Sequence, residues 1–328
     1  MPRIFISTAP FGEADSTPLR LLEDAGISVT QNPLGHKLSP EQVAELAKDY
    51  DALIAGTENL MPLLENNPKI QLISRVGIGL DSVPLQQCRK QNITVCYTPD
   101  AVTMAVVELT LGLMVSLTRH VGIADRTLRA GTWKRFQGKR LEHSSIGLIG
   151  FGRVGSRVAG LLAPFRPEKI LVHDIQDKSD ALEKLRQQGV NIEAVSLDTL
   201  CRQSDIVSLH VPLYSKTRHL VSTEFLSQMK SDAFLINTAR GAIVDETALV
   251  EALQSKSIAG AAVDVFEKEP YHGALAELDN TLLTHHMGSC SYDCRLRMES
   301  EAAESVVQFF KKEPLLREVP EEEYAYQG

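Results

Sequence analysis

Ile146-Gly147-Leu148-Ile149-Gly150-Phe151-Gly152-Arg153-Val154-Gly155 is the stretch on which the fold turns. A short apolar run meets a Gly-x-Gly-x-x-Gly string, and Val158, Ala159, Leu161 and Leu162 follow at helical spacing. A strand that breaks on glycine and reopens as a helix has the form of a dinucleotide-binding turn. Gly150 would make the turn, Gly152 would let backbone N–H groups approach a pyrophosphate, and Gly155 would let helix pack on strand. The helix opens at Arg153 and Val154 and directs partial positive charge toward phosphate. Asp174 stands nineteen positions after Gly155, where the next strand, Ile170–His173, ends. A carboxylate there accepts hydrogen bonds from ribose hydroxyls and repels a 2′-phosphate, so NAD is expected over NADP. A kinase-type glycine loop is the competing reading, but no HRDxxxxN or DFG follows.

Working outward, β-rich runs alternate with helical patterns from the first residues. Arg3–Ser7, Ile27–Thr30, Ala52–Ala55, Gln71–Arg75 and Ile93–Cys96 read as strands, with helices between them. Ser39-Pro40-Glu41-Gln42 caps one such helix. This unit ends near Thr98-Pro99. A long helix, Ala101 to about Arg119, and a basic connecting stretch, Arg126 to Arg140, follow. The second series holds strands at Ile146–Ile149, Ile170–His173, Ile206–His210, Ala233–Asn237, Ala259–Val263 and Thr281–Thr284. A final helix near Cys290–Phe310 leads to Glu321-Glu322-Glu323, expected to be a solvated tail. Such alternation implies α/β architecture with parallel sheets covered by helices.

The 328 residues suggest two domains. At 43% hydrophobic and 23% charged, the chain has enough apolar material for a core in each. A net charge of −8 makes nucleic acid and anionic membrane unexpected partners. Five scattered cysteines without a CxxC pair point to a reducing compartment, and the start lacks the apolar length of a signal peptide, so a cytoplasmic protein is expected. Thr103, Glu108, Thr110 and Gly112 interrupt Ala101–Leu117, which reads as a buried helix rather than a membrane span.

Polar groups follow three of the strands: Thr238-Ala239-Arg240-Gly241 after Asn237, Asp264 to Pro270 after Val263, and His285-His286-Met287-Gly288-Ser289 after Thr284. In a parallel sheet these ends share one edge with the Gly150 loop. On these motifs, with Ser74 to Asp81 and Val106-Val107-Glu108-Leu109, the chain resembles the D-isomer-specific 2-hydroxyacid dehydrogenases over nearly its whole length. It is most similar to their phosphoglycerate dehydrogenase-like branch. The resemblance implies two doubly wound parallel-sheet domains. A Rossmann NAD domain, 100–291, would be inserted into a flavodoxin-like substrate domain, 1–99 plus 292–328. The site would lie in the cleft between them, and the protein would be a homodimer paired through its nucleotide domains.

Oxidising a 2-hydroxy acid moves hydride from C2 to the nicotinamide while a base takes the hydroxyl proton. His286 suits the base role, with Glu269 holding the ring and stabilising imidazolium. Arg240 would bind the substrate carboxylate and C2 oxygen through two guanidinium nitrogens. The resemblance also implies that Thr238, Ala239 and Asp264 lie near the cofactor. It further implies that the backbone N–H groups of Val76 and Gly77 hold the substrate carboxylate. His285 departs from the family, which usually has Pro there. The HH-x3-C-x3-C spacing of His285, His286, Cys290 and Cys294 fits no standard zinc pattern, so no metal is expected.

The expected substrate is a small D-2-hydroxy or 2-oxo acid, phosphorylated as in 3-phosphoglycerate. Arg75 is the leading phosphate ligand, and the basic stretch from Arg126 to Arg140 is a further source of cations. Gly56 stands where some phosphoglycerate enzymes carry Arg, which weakens that assignment. Only about 42 residues follow His286, so no regulatory domain is expected behind it. The alternatives are an NAD(P)H-dependent glyoxylate or hydroxypyruvate reductase, a formate dehydrogenase, and a nucleotide-sensing corepressor-like protein. Glu269 argues against the second, because that branch pairs its His with an amide.

Overall fold

A computed structural model describes residues 1–66 and 68–327, and the chain divides into two compact units. The first comprises Met1–Val102 with Ser289–Gly328, the second Thr103–Gly288. The divisions thus fall after 102 and after 288, against the expected 99 and 291.

In the first unit, strands β1 (Arg3–Ile6), β2 (Ser28–Gln31), β3 (Ala52–Ala55), β4 (Leu72–Arg75) and β5 (Thr94–Tyr97) form a parallel sheet. Its order is β2-β1-β3-β4-β5, the doubly wound order expected. Phe5, Leu53, Ile73 and Val95 fill the core on one face. Ser39 caps helix Pro40–Ala47 as read from sequence: its Oγ accepts from Gln42 N, and Gln42 Oε1 accepts from Ser39 N. Helix Tyr292–Lys311 returns to pack on β3, β4, β5 and helix Thr17–Asp24. Ser74 Oγ donates to the Ala302 carbonyl within that packing.

The acidic tail is a correction. Glu321–Gln327 is helical, and Tyr324 is buried in the same core. Arg89 lies over the Tyr324 ring and pairs with Glu321, while Gln327 bridges Leu80 and Leu85. The glutamates face outward as expected, but an aromatic residue beside them anchors the segment.

The second unit holds β6 (Ser145–Ile149), β7 (Lys169–His173), β8 (Ile192–Ala194), β9 (Ile206–Leu209), β10 (Phe234–Asn237), β11 (Gly260–Val263) and β12 (Thr281–Leu283). All pair in parallel, in the order β12-β11-β10-β9-β6-β7-β8. Alternate residues enter separate cores on the two faces: Ile149, Leu171, Val207 and Leu235 on one, Leu148, Val172, Ile206 and Ile236 on the other. Burial on both faces explains why these strands read as continuous apolar runs.

Edge strand β8 was not expected; three residues with two exposed side chains carry little pattern. The basic stretch from Arg126 is also partly helical, in Val121–Arg129. Helix Pro99–Thr118 is long and apolar enough to cross a membrane by length and composition, with mean hydropathy 1.8. Its Val107, Leu113, Met114 and Leu117 are buried in the second unit's core.

Candidate active site

The glycine loop joins β6 to helix Arg153–Leu162. Gly150 has φ +92°, and a Cβ there would lie 2.5 Å from the His210 carbonyl oxygen. A Cβ on Gly155 would collide with the Gly150 carbonyl, so the helix start can close on the strand only as glycine. At Gly152 the same position meets open space, which is where a ligand could approach the backbone. Val154 packs against the core, and Arg153 is exposed at the first helical position. Asp174 ends the β7 segment half-buried; its Oδ2 accepts from Phe151 N at 2.7 Å and its Oδ1 from Gln176 N at 2.8 Å. Loop, helix start and carboxylate together fit an adenine dinucleotide, with room above Gly152 for the pyrophosphate.

Three neighbouring strands, β10, β11 and β12, deliver the acid–base groups at their carboxyl ends. After β10, buried Asn237 shapes the turn: its Nδ2 donates to the Arg240 carbonyl and its Oδ1 accepts from Ala239 N. Arg240 Nη1 donates to the Ala239 carbonyl at 2.6 Å. The Thr238 hydroxyl lies 2.8 Å from that of Thr110 and is buried. Gly241 follows without a side chain because a Cβ would strike the Phe266 carbonyl carbon, in the segment after β11.

Asp264 organises the last loop. Its carboxylate is 1% exposed and accepts from Thr284 Oγ1, Met287 N and Gly288 N at 2.5, 2.9 and 3.0 Å. Its carbonyl accepts from His286 N at 2.7 Å. These bonds hold His286 at φ +50°, a conformation that non-glycine residues adopt mainly when the surroundings impose it. His286 Nδ1 then stands 2.9 Å from both carboxylate oxygens of Glu269. Glu269 Oε1 also accepts from Phe266 N. An ionised carboxylate accepts only, so Nδ1 carries the proton and Nε2 is left to exchange one with a ligand.

Arg75, Val76 and Gly77 belong to the first unit, at the end of β4. Arg75 is buried, with Nη1 donating to the Val76 carbonyl. The expectation for the next two residues needs correction. Val76 N already donates to the Ala55 carbonyl at 2.9 Å and Gly77 N to Thr98 Oγ1 at 2.7 Å. The first bond extends the β3–β4 ladder past its end, and neither N–H is left over for a substrate carboxylate.

His210 was missed. It follows β9, and burial pushes its imidazole down to about 4. Its Nε2 is sealed from solvent with no hydrogen-bond partner among the described residues. His210 thus stands beside the glycine loop, its Cβ 3.5 Å from where a Gly155 Cβ would stand. The strand-end logic that singled out Arg240 applies equally to His210. Among the described residues no group of three or more His, Cys, Asp or Glu side chains gathers as a metal site.

Residues 111–288 match the family model described as "D-isomer specific 2-hydroxyacid dehydrogenase, NAD binding domain". A glyoxylate reductase of Thermofilum pendens is 38% identical over 285 residues, covering 84% of this chain and 83% of the relative. A D-3-phosphoglycerate dehydrogenase of Methanocaldococcus jannaschii is 33% identical over 301 residues, covering 90% and 56%. Among solved structures, a D-lactate dehydrogenase of Aquifex aeolicus with NAD and lactic acid superposes with a TM-score of 0.82. It is 27% identical and covers 94% of this chain and 96% of its own.

Proposed function

The chain belongs to the D-isomer specific 2-hydroxyacid dehydrogenases, and we propose that it is a reductase of small 2-oxo acids, working with NADH and reversible to the D-2-hydroxy acid. The observation that carries this reading is the His286–Glu269 pair, on the same parallel sheet edge as the glycine loop. Gly150, Gly152, Arg153, Val154 and Gly155 would hold the pyrophosphate, and Asp174 the ribose, which favours NAD over its 2′-phosphorylated form. Bound nicotinamide supplies the hydride that reaches the substrate's C2. Imidazolium at His286 donates its Nε2 proton to the C2 oxygen, and Glu269 stabilises the positive ring before the transfer. Arg240 grips the substrate carboxylate and polarises the C2 oxygen. Asp264 keeps the loop that carries the imidazole in place.

The relatives are named for both phosphorylated and short substrates, and the short, unphosphorylated acid is the reading favoured here. Arg75, the leading phosphate ligand from sequence, is buried with its guanidinium folded back on its own loop. A homodimer in the cytoplasm belongs to the same reading. Helix Val121–Arg129 buries none of its residues, and Val121, Leu128 and Trp133 are all more than half exposed. Sedimentation showing a monomer at assay concentration would remove the dimer.

NADH oxidation with glyoxylate, hydroxypyruvate, pyruvate and 3-phosphohydroxypyruvate tests the function. His286→Gln should lower kcat by about 10²–10⁴ while NADH still binds. Glu269→Gln should lower it less. NADH binding without reduction of any acid would leave only a nucleotide-binding protein.

A further inference from the structure

All strands of the second sheet run in parallel, so the amino-terminal ends of β6 and β7 lie on the edge away from the glycine loop. Three segments of that unit meet there: the end of helix Pro99–Thr118, residues 139–142 leading into β6, and residues 164–166 leading toward β7. A cavity of about 410 Å³ lies among them, within the size range of small-molecule sites. Its wall rests on a close approach. A Cβ on Gly138 would lie 2.3 Å from the Thr118 carbonyl oxygen, which accepts from Lys139 N at 3.0 Å.

Arg119, Lys139, Arg140 and Arg166 line the cavity with a single carboxylate, Glu142, in a chain whose net charge is −8. Two of the cations are paired within the fold: Lys139 Nζ with Asp232 and Asp205, and Arg140 with Glu142. The guanidinium groups of Arg119 and Arg166 make no hydrogen bond or ion pair among the described residues. A cation just past a helix commonly serves the last carbonyls, but Lys139 N closes the Thr118 carbonyl and Arg119 donates to none of them. Between these open cations the lining is apolar. Leu141 is buried, and the Phe165 ring is 41% exposed.

We propose that this cavity is a second binding site, for a small organic phosphate that carries a flat ring, with the phosphate on Arg119 and Arg166 and the ring against Phe165. A guanidinium meets phosphate oxygens two at a time, and its plane also stacks on flat rings. A bare anion would engage the arginines alone, and a neutral ring the apolar lining alone. The combination selects a molecule with both parts, as mononucleotides have. The site stands at the sheet edge away from Gly150 and His286, so it fills independently of the cofactor and goes beyond the reductase reading.

Calorimetric titration of the full chain, saturated with NADH and held at constant ionic strength, tests this with phenyl phosphate, inorganic phosphate and phenol. Phenyl phosphate should bind saturably, about tenfold or more tighter than either of the others. Arg119→Ala and Arg166→Ala should each weaken it about fivefold or more. Both side chains are exposed, so neither change touches the core. Phe165→Ala should erase the advantage of phenyl phosphate over inorganic phosphate and leave the latter's binding as it was. Arg240→Ala, which disables the candidate active site, should leave the phenyl phosphate isotherm in place. Absence of saturable binding, or binding that survives both arginine variants, overturns the proposal. Loss of binding in Arg240→Ala, or displacement of NADH, overturns it too, by assigning the anion to the sheet's other edge.

Discussion

His286 and His210 show how one side chain takes opposite tasks in one sheet. His286 has a carboxylate on Nδ1 and solvent access; the Nε2 of His210 is buried without a partner among the described residues. An unfolded imidazole titrates near 6.5, and the folded His210 near 4. Between those values the unfolded chain binds more protons, so stability falls as pH drops through the window and is level above it. Urea unfolding should find the protein about 2 kcal/mol less stable at pH 5 than at pH 7.5 from this group alone. His210→Gln should remove that share, and an unchanged pH difference in the variant would show that the ring is hydrated. His286 and Glu269 were legible in the sequence because polar groups after apolar strand runs stand out. His210 was not singled out, since what marks it is a missing partner. The N–H groups of Val76 and Gly77 were misjudged for a related reason: sequence locates a turn, but not where its hydrogen bonds already go.

Among the elements, the β6 turn and its helix carry the tightest packing. Gly155→Ala would press a methyl group into the Gly150 carbonyl and push helix Arg153–Leu162 off its strand. NADH affinity should drop by about 100-fold or more, with a stability loss of about 1–3 kcal/mol. Fluorescence titration of NADH reads the first and thermal melting the second; unaltered affinity would mean that the loop does not hold the pyrophosphate. The buried strands were legible because two covered faces force long apolar runs. β8 and helix Val121–Arg129 were not, the one being short and half exposed, the other burying no residue. Their positions come from neighbours rather than from their own pattern.

In the molecule as a whole, one unit is a single chain segment and the other is assembled from two. The insertion was expected over 100–291 from a resemblance along the whole length, which carries topology that local patterning lacks; the compact units divide after 102 and after 288. The same reading left the acidic segment free, since its charges outnumber the one aromatic residue that holds it. Tyr324→Ala should cost the first unit about 2–3 kcal/mol, through lost burial and the lost contact with Arg89. Hydrogen exchange should then show β4 and β5 losing protection before β6; equal loss in both units would tie their unfolding together. Helix Tyr292–Lys311 covers one face of a sheet whose five strands lie before residue 98. On the ribosome that face waits uncovered while residues 103–288 are translated, roughly ten to forty seconds at ordinary elongation rates. During that interval the nascent amino-terminal half presents a bare apolar surface, so this protein should depend on holding chaperones for its yield far more than its finished fold suggests.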